Sequence, residues 1–174
     1  MKIRTRIVAA LFTLAAICTL GSCSTPGGEG AEPVPKTGYA ASDSSYTAEI
    51  SDGVRTVTLD VTRERGVVTA NVTAPDELSG TGFICDMTGV GIVTEGDTLT
   101  VSTEGSAGLR AIFDALSHDP TDEELIPGAA IRTECGGFEC VLSLGADGYP
   151  LTLDVTRGTY KRCVLFSSWR HAGD

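Results

Sequence analysis

The segment Val57–Thr62 reads VTLDVT and alternates apolar and polar residues without interruption. In an extended strand Val57, Leu59 and Val61 share one face, while the polar residues share the other. The segment Val68–Thr73 has the same two-residue period. Such alternation is typical of an antiparallel sheet that has one apolar and one solvated face. We therefore expect the domain to be organised around such a sheet.

After Thr103 the spacing of the apolar residues changes from the two-residue period of a strand to that of a helix. Four apolar residues at helical spacing form one stripe on a helix of about twelve residues. These residues are Leu109, Ile112, Phe113 and Leu116. Ser106 is the predicted N-cap, and Asp119-Pro120 follows the predicted end of the helix. The segment Thr121–Glu124 has the pattern of a capping box and predicts a second, very short helix.

These patterns predict a mainly β (α+β) domain over residues 45–170. We expect an antiparallel sheet of about nine strands. An open sheet of this size tends to curl or split, so we expect it to be curved or to form a half-barrel. One or two short helices would cover its concave face. Five strands would precede the helical segment, and four would follow it.

The apolar positions on the strands and the helix are the candidate ligand-binding face. They are Val57, Leu59, Val61, Val68, Val72, Leu99, Val101, Leu109, Ile112, Phe113, Leu116, Leu153 and Val155. A dry, fully packed core has the same pattern as a ligand cavity. The sequence therefore leaves open whether this face encloses space for a ligand.

One short repeat lies inside the domain. The hexapeptide TLDVTR occupies Thr58–Arg63 and recurs at Thr152–Arg157. Two amphipathic strands that share a common pattern explain it better than a duplicated unit does.

The N-terminus has the order of a secretory signal. Lys2, Arg4 and Arg6 precede an apolar run from Ile7 to Leu20, which is shorter than a membrane-spanning helix needs. The sequence Leu20-Gly21-Ser22-Cys23 resembles the end of a bacterial lipoprotein signal, with Gly21 where Ala or Ser is more usual. This resemblance implies a signal peptide over residues 1–22 and an acyl-modified Cys23. The alternative is an ordinary signal peptide followed by incidental cysteines.

Residues 23–44 are rich in Gly, Pro, Ala and Ser and predict the lipid anchor and a flexible linker. The signal holds three of the 13 basic residues and none of the 23 acidic ones, so the chain from Cys23 onward has a net charge of −13. Such an acidic chain argues against nucleic acid as a partner, because its binding needs a basic surface. Attachment to a membrane would come from the lipid anchor. We therefore expect an exported protein held at the cell membrane or envelope.

Four cysteines remain in the predicted domain, namely Cys85, Cys135, Cys140 and Cys163. An even number in an exported chain favours two disulfides, although buried reduced cysteines are the alternative. If Gly136-Gly137 forms a two-residue turn, Cys135 lies opposite Phe138, and Cys135 and Cys140 are diagonal neighbours on one face. We expect the pairs Cys135–Cys140 and Cys85–Cys163.

The sequence offers no pattern for catalysis or for a metal. The histidines His118 and His171 lie outside any nucleophile motif, and the cysteine spacing does not match a zinc site. No glycine-rich phosphate loop follows a strand. We therefore expect no enzymatic activity, no metal and no cofactor.

Two loose motifs accompany this order of elements. Ala74-Pro75-Asp76-Glu77-Leu78-Ser79-Gly80 precedes the middle strands, and Asp147-Gly148-Tyr149-Pro150 opens a late strand. Together they resemble the lipoprotein-carrier family typified by LolA and its tethered, LppX-like relatives, over roughly Ser45 to Trp169. The resemblance implies a half-barrel with helices across its mouth that holds acyl chains between sheet and helices. It implies a non-catalytic envelope lipoprotein that binds a lipid or another apolar ligand. The alternative is a structural, adhesive or accessory surface lipoprotein with a filled core.

Overall fold

The computed structural model describes residues 38–40, 43–94, 97–121, 123–126 and 129–171. Eleven strands and one α-helix lie within these residues. The strands are β1 (Ser44–Ser51), β2 (Thr56–Glu64), β3 (Val67–Ala74), β4 (Thr81–Asp86), β5 (Gly89–Thr94), β6 (Asp97–Thr100), β7 (Leu125–Ile126), β8 (Ala130–Cys135), β9 (Phe138–Leu144), β10 (Pro150–Arg157) and β11 (Tyr160–His171). The helix is α1 (Thr103–Ser117), and two short 3₁₀ turns span Gly38–Ala40 and Asp76–Leu78.

All eleven strands belong to one antiparallel sheet that does not close into a barrel. Its order is β6-β5-β4-β3-β2-β1-β11-β10-β9-β8-β7. Strands β1 to β6 therefore run outward from the centre in one direction, and β11 to β7 run outward in the other. The first and last strands pair at the centre, and α1 lies in the chain between the two edge strands. The prediction of a mainly β, antiparallel fold is confirmed, with six strands before the helix and five after it rather than five and four.

The alternation in the sequence sets which face of the sheet is buried. On β2, Leu59 and Val61 are buried and Asp60 between them is exposed. We call the buried side the core face of the sheet. The turn chemistry predicted for Gly136-Gly137 is also confirmed. Both glycines have positive φ, a conformation that glycine adopts without a steric penalty, and Cys135 pairs with Phe138.

Helix α1 packs on the core face against β8, β9 and β10, and it also contacts β5. It is longer than predicted, because it begins at Thr103. The prediction of Ser106 as N-cap is wrong. Ser106 lies inside the helix, and its hydroxyl donates to the carbonyl oxygen of Ser102 one turn earlier, at 3.0 Å.

The predicted second helix is also wrong. The backbone N–H of Thr121 does donate to the Glu124 carboxylate at 2.8 Å, as a capping box requires. The chain then enters strand β7 at Leu125, because pairing with β8 at Ile131 takes precedence over the local helical pattern.

The end of the predicted linker belongs to the folded domain. Tyr39 is 2% exposed, Ala40 is also buried in the core, and β1 already begins at Ser44. Burial raises the pKa of Tyr39 to about 12. The predicted signal peptide and Cys23 lie outside the described residues.

One end of the core face is filled by aromatic side chains. Tyr46 stacks on Trp169 with ring centroids 4.2 Å apart, and Phe166 meets Tyr46 edge-on at 5.7 Å. Ser168 has a positive φ of 57° at an irregularity of the β1–β11 ladder, and Trp169 follows it to pack with these rings. We call this the aromatic end of the sheet.

Candidate functional site

A cavity of about 430 Å³ lies between the core face and α1, at the end of the sheet opposite the aromatic end. Its volume falls within the usual range for small-molecule sites. It opens to solvent, and both halves of the sheet contribute to its walls. The lining residues are Ile50, Val57, Leu59, Phe83, Gly108, Leu109, Ile112, Phe138, Arg157, Tyr160 and Arg162.

A close contact between α1 and β11 forms one side of the cavity. The backbone of Gly108 approaches Tyr160 so closely that a Cβ atom at this position would overlap the tyrosine hydroxyl. Glycine is otherwise unfavourable inside a helix. Its presence here is explained by the tyrosine ring that lies under α1 at the edge of the cavity.

Two arginines stand at the opening of the cavity. Arg157 continues the core-face series of β10 after Leu153 and Val155, and Arg162 precedes Val164 on the core face of β11. The pairs Val155–Arg162 and Arg157–Tyr160 face each other in the ladder, so the two arginines are diagonal neighbours. They occupy positions that are apolar elsewhere on these strands.

Aromatic rings hold both guanidinium groups. The guanidinium carbon of Arg157 lies 4.0 Å from the centre of the Phe138 ring, and that of Arg162 lies 4.6 Å from the centre of the Tyr160 ring. The two rings meet edge-on, 5.2 Å apart. We call Arg157, Phe138, Tyr160 and Arg162 the mouth cluster. Their stacking lays the two guanidinium groups against the apolar rim. Arg162 Nη1 donates to the carbonyl oxygen of Lys161 at 2.7 Å, and the other N–H groups of Arg162 and those of Arg157 can reach a ligand at the opening.

Little negative charge faces the mouth cluster. Within the described residues, the single carboxylate in ion-pairing distance of either arginine is Asp52, whose Oδ2 lies 3.9 Å from Arg162 Nη2. Asp52 is occupied mainly by the backbone N–H groups of Arg55 and Val54, which lower its pKa. Burial raises the pKa of the Tyr160 hydroxyl, so it stays protonated at neutral pH. The opening is therefore a positively charged spot on a chain whose net charge is −10.

The structure divides the predicted ligand face into four groups. The residues that line this cavity are Val57, Leu59, Leu109 and Ile112. The residues that are instead packed in the core away from it are Val61, Val68, Val72, Phe113, Leu116, Leu153 and Val155. Val101 borders a second cavity of about 420 Å³ beside Arg110 on α1. Leu99 was expected to face inward but is 61% exposed, because it lies on the edge strand β6.

The mouth cluster was not predicted from the sequence. The signal was present, because Leu153, Val155 and Arg157 follow one another at a spacing of two residues. An arginine that continues an apolar series marks the point where the core face meets solvent. Ile50, Phe83 and Gly108 were also missed, since their place in the wall depends on distant strands and on α1.

The four cysteines are free thiols in the structure. The predicted pair Cys85–Cys163 is wrong, because three strands separate β4 from β11 and the two thiols lie on opposite faces of the sheet. Cys135 and Cys140 are neighbours, as predicted, but no disulfide joins them, and the Cys140 thiol lies 3.8 Å from the carbonyl oxygen of Phe138. The interaction between the two thiols lowers the pKa of Cys135 and raises that of Cys140.

The far end of α1 is tied down by polar contacts. Glu124 accepts hydrogen bonds from the backbone N–H of Thr121 at 2.8 Å and from the hydroxyl of Thr133 at 2.7 Å, and its carboxylate lies 2.8 Å from His118 Nε2. These contacts, led by the Thr121 N–H, hold the pKa of Glu124 at about 2. Arg63 donates to the carbonyl oxygen of Leu116 in the last turn of α1, at 3.4 Å. We call these contacts the C-terminal tether of α1.

Two further observations concern the described residues alone. No group of three or more His, Cys, Asp or Glu side chains among them is arranged to hold a metal ion. No helix among them is both long enough and apolar enough to cross a bilayer. No protein-family model and no curated protein sequence matches the chain.

Proposed function

We propose that this protein is a membrane-anchored envelope lipoprotein whose domain binds a lipid or another apolar ligand beneath α1. The observation that carries the proposal is the open, largely apolar cavity of about 430 Å³ between the core face and the helix. A domain that served only as a packed module would gain stability from filling such a space, because the apolar side chains that line an open cavity stay in contact with water. The walls consist of apolar side chains, one tyrosine and two arginines, which suits holding a ligand rather than transferring protons.

The half-barrel shape implied by the carrier family is part of this proposal. Helix α1 contacts β5 near one edge of the sheet and β8 near the other. In a flat sheet these two strands would lie about 38 Å apart, at a spacing of about 4.8 Å per strand. A helix is only about 10 Å wide and α1 is about 22 Å long. Simultaneous contact with both strands therefore supports a sheet that curls around the helix.

The anchor and the location are proposed from the N-terminal sequence. Acylation of Cys23 would hold the domain at the extracytoplasmic face of a membrane, and two or three acyl chains suffice for stable attachment. Mass spectrometry of the protein from its native membrane, with Cys23→Ser as control, tests this part separately. An unmodified Cys23 in the mature chain would contradict it.

The binding function is tested with the full chain carrying Cys23→Ser, so that no attached acyl group competes for the cavity. The protein is exported, purified without detergent and examined by native mass spectrometry and solvent extraction. We expect a co-purifying apolar molecule, or uptake of a neutral fluorescent probe such as N-phenyl-1-naphthylamine. Leu109→Trp should abolish uptake, because Leu109 is half-buried in the cavity wall and the larger side chain fills the space.

Leu165→Trp is the matched control, since Leu165 is 49% exposed on the opposite face of β11. It adds the same bulk without entering the cavity. Loss of uptake in the Leu109 variant alone, with both variants folded by circular dichroism, supports the proposal. A wild-type chain that takes up neither lipid nor probe would instead indicate a structural or adhesive module.

A further inference from the structure

Apolar side chains and two arginines lie side by side at the opening of the cavity. Arg157 and Arg162 are diagonal neighbours on the core face, and both stack on rings that line the cavity. Guanidinium groups bind carboxylates and phosphates through paired, charge-assisted hydrogen bonds. Arginine side chains on neighbouring strands also repel each other, so an anion between them would relieve this repulsion.

We propose that the mouth cluster binds the anionic head, a carboxylate or a phosphate, of an acyl-chain ligand whose tail lies in the cavity. This inference rests on the proposed function and specifies its ligand class. Three observations point to an anion. Arg157 has no carboxylate partner among the residues described, Asp52 lies at the outer limit of pairing with Arg162, and the opening is positive on an acidic chain.

The arrangement also separates head from tail. The apolar lining residues Ile50, Val57 and Phe83 lie on strands of the N-terminal half, whereas both arginines lie on the β10–β11 hairpin. A tail that enters the apolar region keeps its head beside that hairpin. Arg162 would exchange its long contact with Asp52 for a shorter one with the ligand, and Asp52 would keep its two backbone hydrogen bonds.

The test measures displacement of N-phenyl-1-naphthylamine from the full chain carrying Cys23→Ser. The competitors are hexadecanoic acid, hexadecanol, monohexadecyl phosphate and inorganic phosphate, at pH 8. We expect the acid or the phosphate monoester to compete at a concentration about tenfold lower than the alcohol, as one or two charge-assisted hydrogen bonds would produce. Whichever of the two competes better identifies the head group. Inorganic phosphate alone should not displace the probe.

The variants are Arg157→Gln, Arg162→Gln and their combination. We expect the combination to bring the acid and the alcohol within about twofold of each other by weakening the acid alone. Lys161→Gln is the matched control, because Lys161 lies between Tyr160 and Arg162 in sequence but is exposed on the opposite face. It removes the same charge and should keep the preference for an anion.

The outcomes separate the two proposals. Equal competition by acid and alcohol in the wild type, or equal weakening of both by the arginine variants, would overturn head-group recognition and leave apolar binding in place. Displacement by inorganic phosphate would overturn the acyl-chain ligand. A wild-type chain that binds no probe at all would overturn the proposed function itself.

Discussion

The hexapeptide TLDVTR occurs in β2 and in β10, and its two copies have different surroundings. In both strands the leucine and the valine are almost completely buried on the core face. The two strands flank the central β1–β11 pair and run in opposite directions, so Arg63 and Arg157 lie at opposite ends of the sheet. Arg63 donates to the last turn of α1, whereas Arg157 stacks on Phe138 at the cavity opening.

The comparison shows which properties are local. Alternation alone places leucine, valine and arginine on the core face in both copies. The part that each arginine plays depends on elements distant in the chain, namely the end of α1 for Arg63 and the β9 aromatic ring for Arg157. The same sequence therefore buries the leucine and the valine in both copies, whereas Arg63 is half-buried and Arg157 is exposed, and the two arginines make different contacts.

The largest expected effect on stability is a difference between the leucines of the two copies, Leu153 in β10 and Leu59 in β2. Leu153→Ala should lower the free energy of unfolding by about 3–4 kcal/mol, because it opens a void in a closed part of the core. Leu59→Ala should cost less, about 2 kcal/mol, since Leu59 already borders the cavity and loses fewer packing contacts. Urea unfolding measures both. A greater loss at Leu59 would contradict the presence of a cavity beside this residue.

The next largest effect on stability is expected at the contact between α1 and Tyr160 beside the cavity. Gly108→Ala normally stabilises a helix by about 1 kcal/mol, but here the added methyl group overlaps Tyr160 and should destabilise by about 1–3 kcal/mol. The same change in a Tyr160→Leu background removes the overlap and should be neutral or stabilising. Equal effects in both backgrounds would show that α1 does not rest on Tyr160.

The stability that the C-terminal tether of α1 contributes should depend on pH. Glu124 has a pKa of about 2 when folded and about 4.5 when unfolded, so its stabilisation is complete above pH 4.5 and is lost as the pH falls toward 2. Glu124→Gln should cost about 1–2 kcal/mol at pH 7 and flatten the decline of stability between pH 4.5 and 2. Urea unfolding across this pH range is the measurement. An unchanged slope in the variant would contradict the C-terminal tether.

The smallest expected effect on stability is a difference between the arginines of the two copies, Arg63 and Arg157. Arg63→Met removes a hydrogen bond to the last turn of α1 and should lower stability by about 1 kcal/mol. Arg157→Met removes an exposed stacking contact and should change stability by less than about 0.5 kcal/mol. Thermal unfolding of the two variants side by side tests the difference. Equal losses would mean that both copies have the same structural role.

The sequence predicted those features that depend on neighbours in the chain. The alternation around Leu59, the apolar stripe of α1 and the Gly136-Gly137 turn are all confirmed, since each follows from a local period or from backbone conformation. The predicted capping box at Thr121 forms its hydrogen bond, yet no helix follows. Pairing between β7 and β8 outweighs that local preference.

Features that depend on contacts across the sheet were not predictable in this way. Cys85 and Cys163 were paired on the parity of the cysteine count, which carries no information about strand order. Leu99 has the pattern of a core residue, but its strand became an edge that α1 leaves uncovered. The cavity requires residues from both halves of the sheet at once, so it follows from the central pairing of β1 and β11.

That central pairing has a mechanical consequence. Ser44, at the start of β1, pairs with His171, at the end of β11, so tension between these two points would break the ladder one pair at a time from that end. The sheet would part along its middle, and the rupture would cross the cavity, whose walls belong to both halves. A bound ligand would contact both halves of the sheet and would therefore oppose their separation. Force spectroscopy with handles at Asp43 and His171 should therefore record a higher rupture force when the cavity is occupied.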